Sequence, residues 1–217
     1  MIKKVAIFVD WENLRQDISS IQKNNRDFRE FNYNNVKHLS SLFQAFIDED
    51  EEIYRIFFYT APPKTSQDIL NSFRNDNDKQ NYQEYLDRDN NNQNFQNIYS
   101  TSKKLINDIS KEPYVATRLG ELKISGILTN GKPIISQKQV DMLLGLDIAH
   151  VSYNKLVDRI LIFCKDSDMT PALKVARTTG LITIVAHIKG GFTITNSLIK
   201  HSDIIREKTV NTILNRL

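Results

Sequence analysis

Four aspartates in this sequence stand where residues of their type do metal chemistry. Asp10 closes the apolar run 5–9, Asp166 and Asp168 follow the apolar run that ends at Cys164, and Asp141 opens a segment with helical spacing. Carboxylates gathered within a few ångströms repel one another, which raises their pKa values or calls for a cation to neutralise them. Magnesium suits such a set, because it takes oxygen ligands and keeps waters and substrate phosphates in an open site. The chemistry that follows is phosphodiester hydrolysis, with a polarised phosphoryl oxygen and an activated water attacking in line.

Each acid also has a plainer role. Asp10 alone caps a turn, Asp166 or Asp168 alone caps a helix, and Asp141 alone suits the positive end of a helix. Two buried strands that both end in acids favour a site. Asn13 orients water or a phosphate oxygen, or caps a helix beginning at Leu14. Lys138, three residues before Asp141, meets a phosphate or is merely solvated. Ser167 and Thr170 donate to phosphate at a helix start, or cap that helix. Asp147 lies about 120° around an ideal helix from Asp141 and is a secondary candidate. Trp11 stacks on a base or covers loop backbone.

These residues need a scaffold that brings distant segments together. Residues 5–9, 53–59, 159–164 and 181–186 are apolar runs rich in Val, Ile and Phe, as in strands covered on both faces. Val36, Leu39, Phe43, Phe46 and Ile47 recur at helical spacing behind a cap at Asn34 or Asn35, as do Val140, Leu143, Leu144, Asp147, Ile148 and Val151. A further helix is expected over 169–179, capped by Ser167 or Asp168 and stopped at Gly180, and a last one within 197–217. Residues 115–128 and the pair Ile134–Ile135 flank Asn130-Gly131, the dipeptide of a tight hairpin turn. The order predicts an α/β protein: a three-layer α/β/α sandwich with a mostly parallel central sheet of about five strands, a single domain over 1–217. In open sheets of this kind ligands collect at the carboxyl ends of the strands, where the acids lie. Nine of the 27 residues in 71–97 are asparagine, so that stretch is expected to be an insertion, either an exposed helical extension or a long loop.

Composition removes most other functions. A chain of 217 residues with 40% hydrophobic content and 25% charged residues is globular rather than disordered. The net charge of +3 permits nucleic-acid binding without demanding it. One cysteine, Cys164, forms neither an internal disulfide nor a zinc finger, and with no leader-like segment ahead of the first strand a cytoplasmic setting is expected. No apolar run is long enough to span a bilayer. The P-loop, dinucleotide and HExxH motifs are absent.

The strings FVDWENL (8–14), KQVD with a later LD (138–141, 146–147) and KDSDMTPALKVARTTG (165–180) resemble the NYN-domain family, LabA-like members of the PIN-like nucleases. The resemblance implies a PIN-like fold and a ribonuclease dependent on Mg²⁺ or Mn²⁺. It assigns the metal-binding acids to Asp10, Asp141, Asp166 and Asp168, the motif asparagine to Asn13 and the motif lysine to Lys138. Lys165 departs from the family, which commonly has glycine there in an SGDSD-like string, and Cys164 replaces the serine. The expected activity is endonucleolytic cleavage, with single-stranded RNA as substrate. Lys103, Lys104, Arg118, Lys123 and Lys132 are candidate phosphate contacts. A catalytically silent RNA-binding or regulatory module of the same fold is the second reading, and another Mg²⁺-dependent phosphoryl-transfer enzyme, such as a structure-specific DNA nuclease, is the third. A homodimer is compatible with the sequence, which contains nothing that calls for one.

Overall fold

The computed structural model describes residues 2–217. The chain runs β1 (Lys3–Asp10), α1 (Trp11–Asn24), α2 (Val36–Ala45), β2 (Glu51–Thr60), α3 (Ser66–Ser72), α4 (Asp76–Asp87), α5 (Asn91–Ile109), β3 (Val115–Leu119), β4 (Glu121–Ile127), β5 (Pro133–Lys138) and α6 (Val140–Tyr153). It continues through β6 (Arg159–Phe163), α7 (Thr170–Thr178), β7 (Ile182–Ile188), α8 (Asn196–His201), β8 (Ile204–Lys208) and α9 (Val210–Leu214), with short 3₁₀ turns at Asp27–Glu30 and Ser167–Met169.

Six strands form one sheet in the order β3-β2-β1-β6-β7-β8, and every neighbouring pair is parallel. Parallel strands need helical crossovers, which cover both faces and explain the unbroken apolar runs. Along β1 the side chains alternate between two cores. Val5, Ile7 and Val9 pack with Leu14 and Ile18 of α1, Leu39 and Phe43 of α2 and Leu105 of α5. Ala6 and Phe8 pack with Leu144 and Ile148 of α6, Leu173 of α7 and Leu198 of α8. The result is the three-layer α/β/α sandwich read from the sequence.

Several local expectations are corrected. Val115–Leu119 joins the main sheet beside β2, and the hairpin is β4 with β5, whose loop is longer than two residues and carries Gly131 at φ +84. The 197–217 stretch is divided by the edge strand β8, whose half-exposed residues hide its β-branched pattern. Residues 71–97 are mainly helical, in α4 and the first part of α5, and Tyr82 and Phe95 pack with Ile69 and Phe73 in a small core of their own. An asparagine cap supports this: the Asn75 side chain accepts the N–H of Asn77 at the start of α4.

The amino-terminal half of the sheet carries a closed ion network. The Glu51 carboxylate has no solvent exposure and accepts from Arg206 at 2.7 and 2.9 Å and from Arg159 at 2.6 Å. Arg206 also donates to the Phe46 carbonyl at 2.6 Å and pairs with Asp48 at 2.9 Å. Burial works to raise the Glu51 pKa, but Arg206, the Asp48 N–H and Arg159 outweigh it and hold the carboxyl at about 2.

Candidate functional site

From the central pair β1 and β6 the chain winds outward in opposite directions, so the carboxyl ends of these two strands form the topological switch point of the sheet. Asp10, the last residue of β1, sits there beside Tyr59 of β2, and Val9 pairs with Phe163 of β6. Because α1 begins directly at Trp11, Asp10 is its N-cap and accepts the Asn13 N–H at 3.1 Å. Among the described residues the other carboxylate oxygen receives only the weak Cys164 thiol donor, at 3.7 Å. Burial is the main force that lifts the Asp10 pKa to about 6, and the charge of Asp141 adds to it.

Asp141 approaches from a different layer. Gly120 allows the corner between β3 and β4 to lie against the junction of β5 and α6, since a Cβ there would come 2.5 Å from the Lys138 carbonyl oxygen. Between Lys138 and Asp141 the backbone of Gln139 takes φ +72, a left-handed conformation that costs a non-glycine residue about 1–2 kcal/mol. Strain of this kind concentrates at functional sites. Asp141, exposed in the first turn of α6, has its pKa raised by desolvation and by the charges of Asp166 and Asp168, while Lys138 opposes the shift. The field of Asp141 thus reaches Asp10 on one side and the Asp166–Asp168 pair on the other.

Asp10, Asn13 and Asp141, with Glu12, Gln16 and Ser136, line a cleft of about 510 Å³. Among the described residues no three acidic, histidine or cysteine side chains converge as a ready-made metal cage. The donor set is nonetheless of the hard oxygen type that divalent ions take: the Asp141 charge adds to the rise at Asp10, the charges of Asp166 and Asp168 add to the rise at Asp141, and no arginine pairs with Asp10 or Asp141 among the described residues.

The other sequence candidates have the following partners. Asn13 is not a cap; its side-chain oxygen accepts the Lys165 N–H at 3.1 Å and ties α1 to the loop after β6. Asp166, rather than Ser167 or Asp168, caps the following turn by accepting the Asp168 N–H at 2.9 Å. Ser167 is exposed there. Thr170 is buried and its hydroxyl is bonded to that of Ser197 at 2.9 Å. Trp11 is 6% exposed and packs against Phe58. The Lys165 ammonium is buried in a 2.6 Å pair with Asp17 and also donates to the Phe192 carbonyl. Asp147 accepts from the Tyr59 hydroxyl and from Arg118, both at 2.8 Å, which also removes Arg118 from the freely solvated basic residues.

Three residues that shape the site escaped the sequence reading. Glu12 and Gln16 line the cleft one turn apart on α1, a spacing visible in the sequence. Asp17 follows Asn13 by four residues, and together they grip Lys165 by its side chain and backbone.

A family model described as "NYN domain" matches residues 4–205. No curated protein matches the chain. A crystal structure of a protein of unknown function from Vibrio parahaemolyticus is similar over 96% of this chain and 93% of that one, with 13% identity and a TM-score of 0.47.

Proposed function

The chain belongs to the NYN domain family, part of the PIN-like nuclease superfamily, and from that premise we propose that it is a metal-dependent endoribonuclease acting on single-stranded RNA. Nucleases of this superfamily generally use divalent metals. The observation that carries the reading is the burial of Asp10 at the switch point, its pKa lifted to about 6, in a cleft it shares with Asp141, where neither of these two acids forms an ion pair among the described residues. Asp10, Asp141, Asp166 and Asp168 are the residues that would hold Mg²⁺ or Mn²⁺. The ion, when bound, polarises the phosphoryl oxygen and increases the acidity of the attacking water.

The protein's own groups do the positioning. Asn13, its carbonyl oxygen fixed by Lys165, turns its amide N–H groups toward water or a non-bridging phosphate oxygen. Lys138 offsets phosphate charge beside Asp141. Ser167 offers a hydroxyl at the exposed turn, and the Thr170 backbone N–H donates to the Ser167 carbonyl. The reading places the enzyme in the cytoplasm, and no helix among the described residues is long and apolar enough to cross a membrane.

A catalytically silent RNA-binding module is the second reading, favoured by the capping duties that Asp10 and Asp166 already perform. The test is incubation with single-stranded RNA and DNA in Mg²⁺, Mn²⁺ or EDTA, beside the Asp10→Asn/Asp166→Asn variant. Cleavage of RNA that requires the metal and disappears in the variant supports the enzyme. RNA binding without cleavage in any metal supports the silent module, and preferential cleavage of DNA overturns the substrate assignment.

A further inference from the structure

A second pocket opens beside the acidic cleft, and its chemistry is different. It has a volume of about 470 Å³, lies between α1, α5 and the hairpin, and shares Glu12, Leu122 and Gln137 with the cleft. The volume falls in the range of small-molecule sites, roughly 300–1,000 Å³. Trp11 and Tyr33, with ring centroids 6.3 Å apart, contribute aromatic surface to it. Ile98 of α5 adds an aliphatic wall that is 63% exposed although large and apolar.

The charge balance changes across the shared boundary. Glu12 is matched by Arg15 through bonds of 3.0 and 2.6 Å; burial works to raise its pKa, but Arg15 and Gln16 outweigh that and lower it. Glu12 is the only acid lining the second pocket among the described residues, and it is paired, whereas the adjoining cleft also holds Asp10 and Asp141, which form no ion pair there. Its remaining polar groups include the side-chain amides of Asn34 and Gln137, which have no hydrogen-bond partner among the described residues and carry both donors and acceptors. Proteins that read single-stranded RNA place unstacked bases against such aromatic and apolar surfaces and satisfy their edges with amides.

We propose that this pocket is a nucleobase subsite, taking one base of the RNA strand next to the phosphodiester held at the acidic cleft. The proposal rests on the endoribonuclease reading for the placement of the strand. It also gives the asparagine-rich stretch a function, because Ile98 and Asn97 sit at its end on α5 and form the outer wall.

Trp11 is the only tryptophan of the chain and reports on the subsite directly. Full-length protein in EDTA, where no metal-dependent cleavage occurs, is titrated with r(A)₈, r(U)₈, AMP and ribose 5-phosphate while Trp11 emission is followed. The expected result is a saturable change with the base-bearing ligands and none with ribose 5-phosphate, weakened about tenfold in Ile98→Ser and in Asn34→Ala. Both positions are solvent-exposed, so loss of fold does not confound the variants. The proposal is overturned if ribose 5-phosphate matches AMP, if the oligomers leave Trp11 emission unchanged, or if both variants bind as tightly as the wild type. An emission change with base selectivity, in a protein that cleaves RNA in no metal, keeps the subsite and removes the nuclease reading. Metal-dependent cleavage without the emission change does the reverse.

Discussion

The two ends of the sheet each gather carboxylates, and they treat them in opposite ways. On the amino-terminal side Glu51 is enclosed by Arg206 and Arg159, and its pKa falls to about 2. At the carboxyl ends Asp10 is buried with one backbone N–H and a thiol as partners, and its pKa rises to about 6. Desolvation acts in the same direction at both sites, so burial does not distinguish them. The difference is the counter-charge: the fold supplies two guanidinium groups to Glu51 and, among the described residues, none to Asp10. A carboxylate cluster becomes a candidate cation site when it is buried enough to suffer repulsion and lacks an arginine to relieve it.

Removing one acid from each end should therefore have different consequences. Glu51→Gln leaves Arg206 and Arg159 without their common partner, and breaking a buried pair of this kind costs about 3–5 kcal/mol. Urea unfolding followed by circular dichroism reads that loss, and a loss below about 1 kcal/mol means that the amino-end network is not structural. Asp10→Asn keeps a side-chain oxygen to cap α1 and removes a charge the fold does not neutralise. At pH 7.5 its apo-stability should match or exceed wild type, while metal-dependent RNA cleavage falls by roughly 100-fold, worth about 3 kcal/mol. A variant that unfolds more easily yet cleaves normally reverses the assignment of the two ends.

Acidity sharpens the same contrast. Glu51 has a folded pKa below its usual value, so its contribution is present above about pH 4.5 and is lost as the pH falls through the range between 4.5 and 2. Asp10 has a folded pKa above its usual value, so its contribution is present below about pH 3.8 and is lost as the pH rises through about 6. Urea unfolding between pH 3 and 8 should show both limbs, each of order 2 kcal/mol. Glu51→Gln flattens the acid limb, and Asp10→Asn flattens the fall near pH 6. If the two variants exchange limbs, the counter-charge argument fails.

The sequence made one end of this contrast legible and concealed the other. Asp10 and Asp166 follow unbroken apolar runs, and such runs mark strands covered on both faces, so the position of both acids at a sheet end could be read directly. Glu51 is one of five consecutive acids, which resemble a solvated surface run; its partner Arg206 lies 155 residues away on an edge strand the periodicity missed. The Lys165–Asp17 pair was hidden for the same reason, with 148 residues between its members. Local pattern reports burial and capping, whereas partnerships between distant charges depend on the topology of the sheet. The helices of the asparagine-rich stretch were half legible: the cap of α4 is visible as an asparagine, but the aromatic contacts that stabilise them, such as Tyr82 with Phe95, involve separate helices.

The smallest expected effect is also the most direct test of what completes the carboxyl end. A ligand that binds only the folded state stabilises it by RT ln(1 + [L]/Kd), so Mn²⁺ at ten times its Kd should add about 1.4 kcal/mol. For a chain of this size that corresponds to about 3–5 °C in melting temperature. Protons and the cation compete for Asp10, so the stabilisation should be small at pH 5 and full at pH 7.5, following the pKa near 6. Differential scanning calorimetry with Mn²⁺ or EDTA, at both pH values, should show the shift in wild type and its loss in Asp10→Asn. Glu51→Gln, less stable at the start, should gain as many degrees as wild type, because its network does not share a residue with the cleft. An equal shift in Asp10→Asn would place the cation elsewhere. A shift that vanishes in Glu51→Gln would mean that the two ends of the sheet are coupled and that the cation senses the fold as a whole.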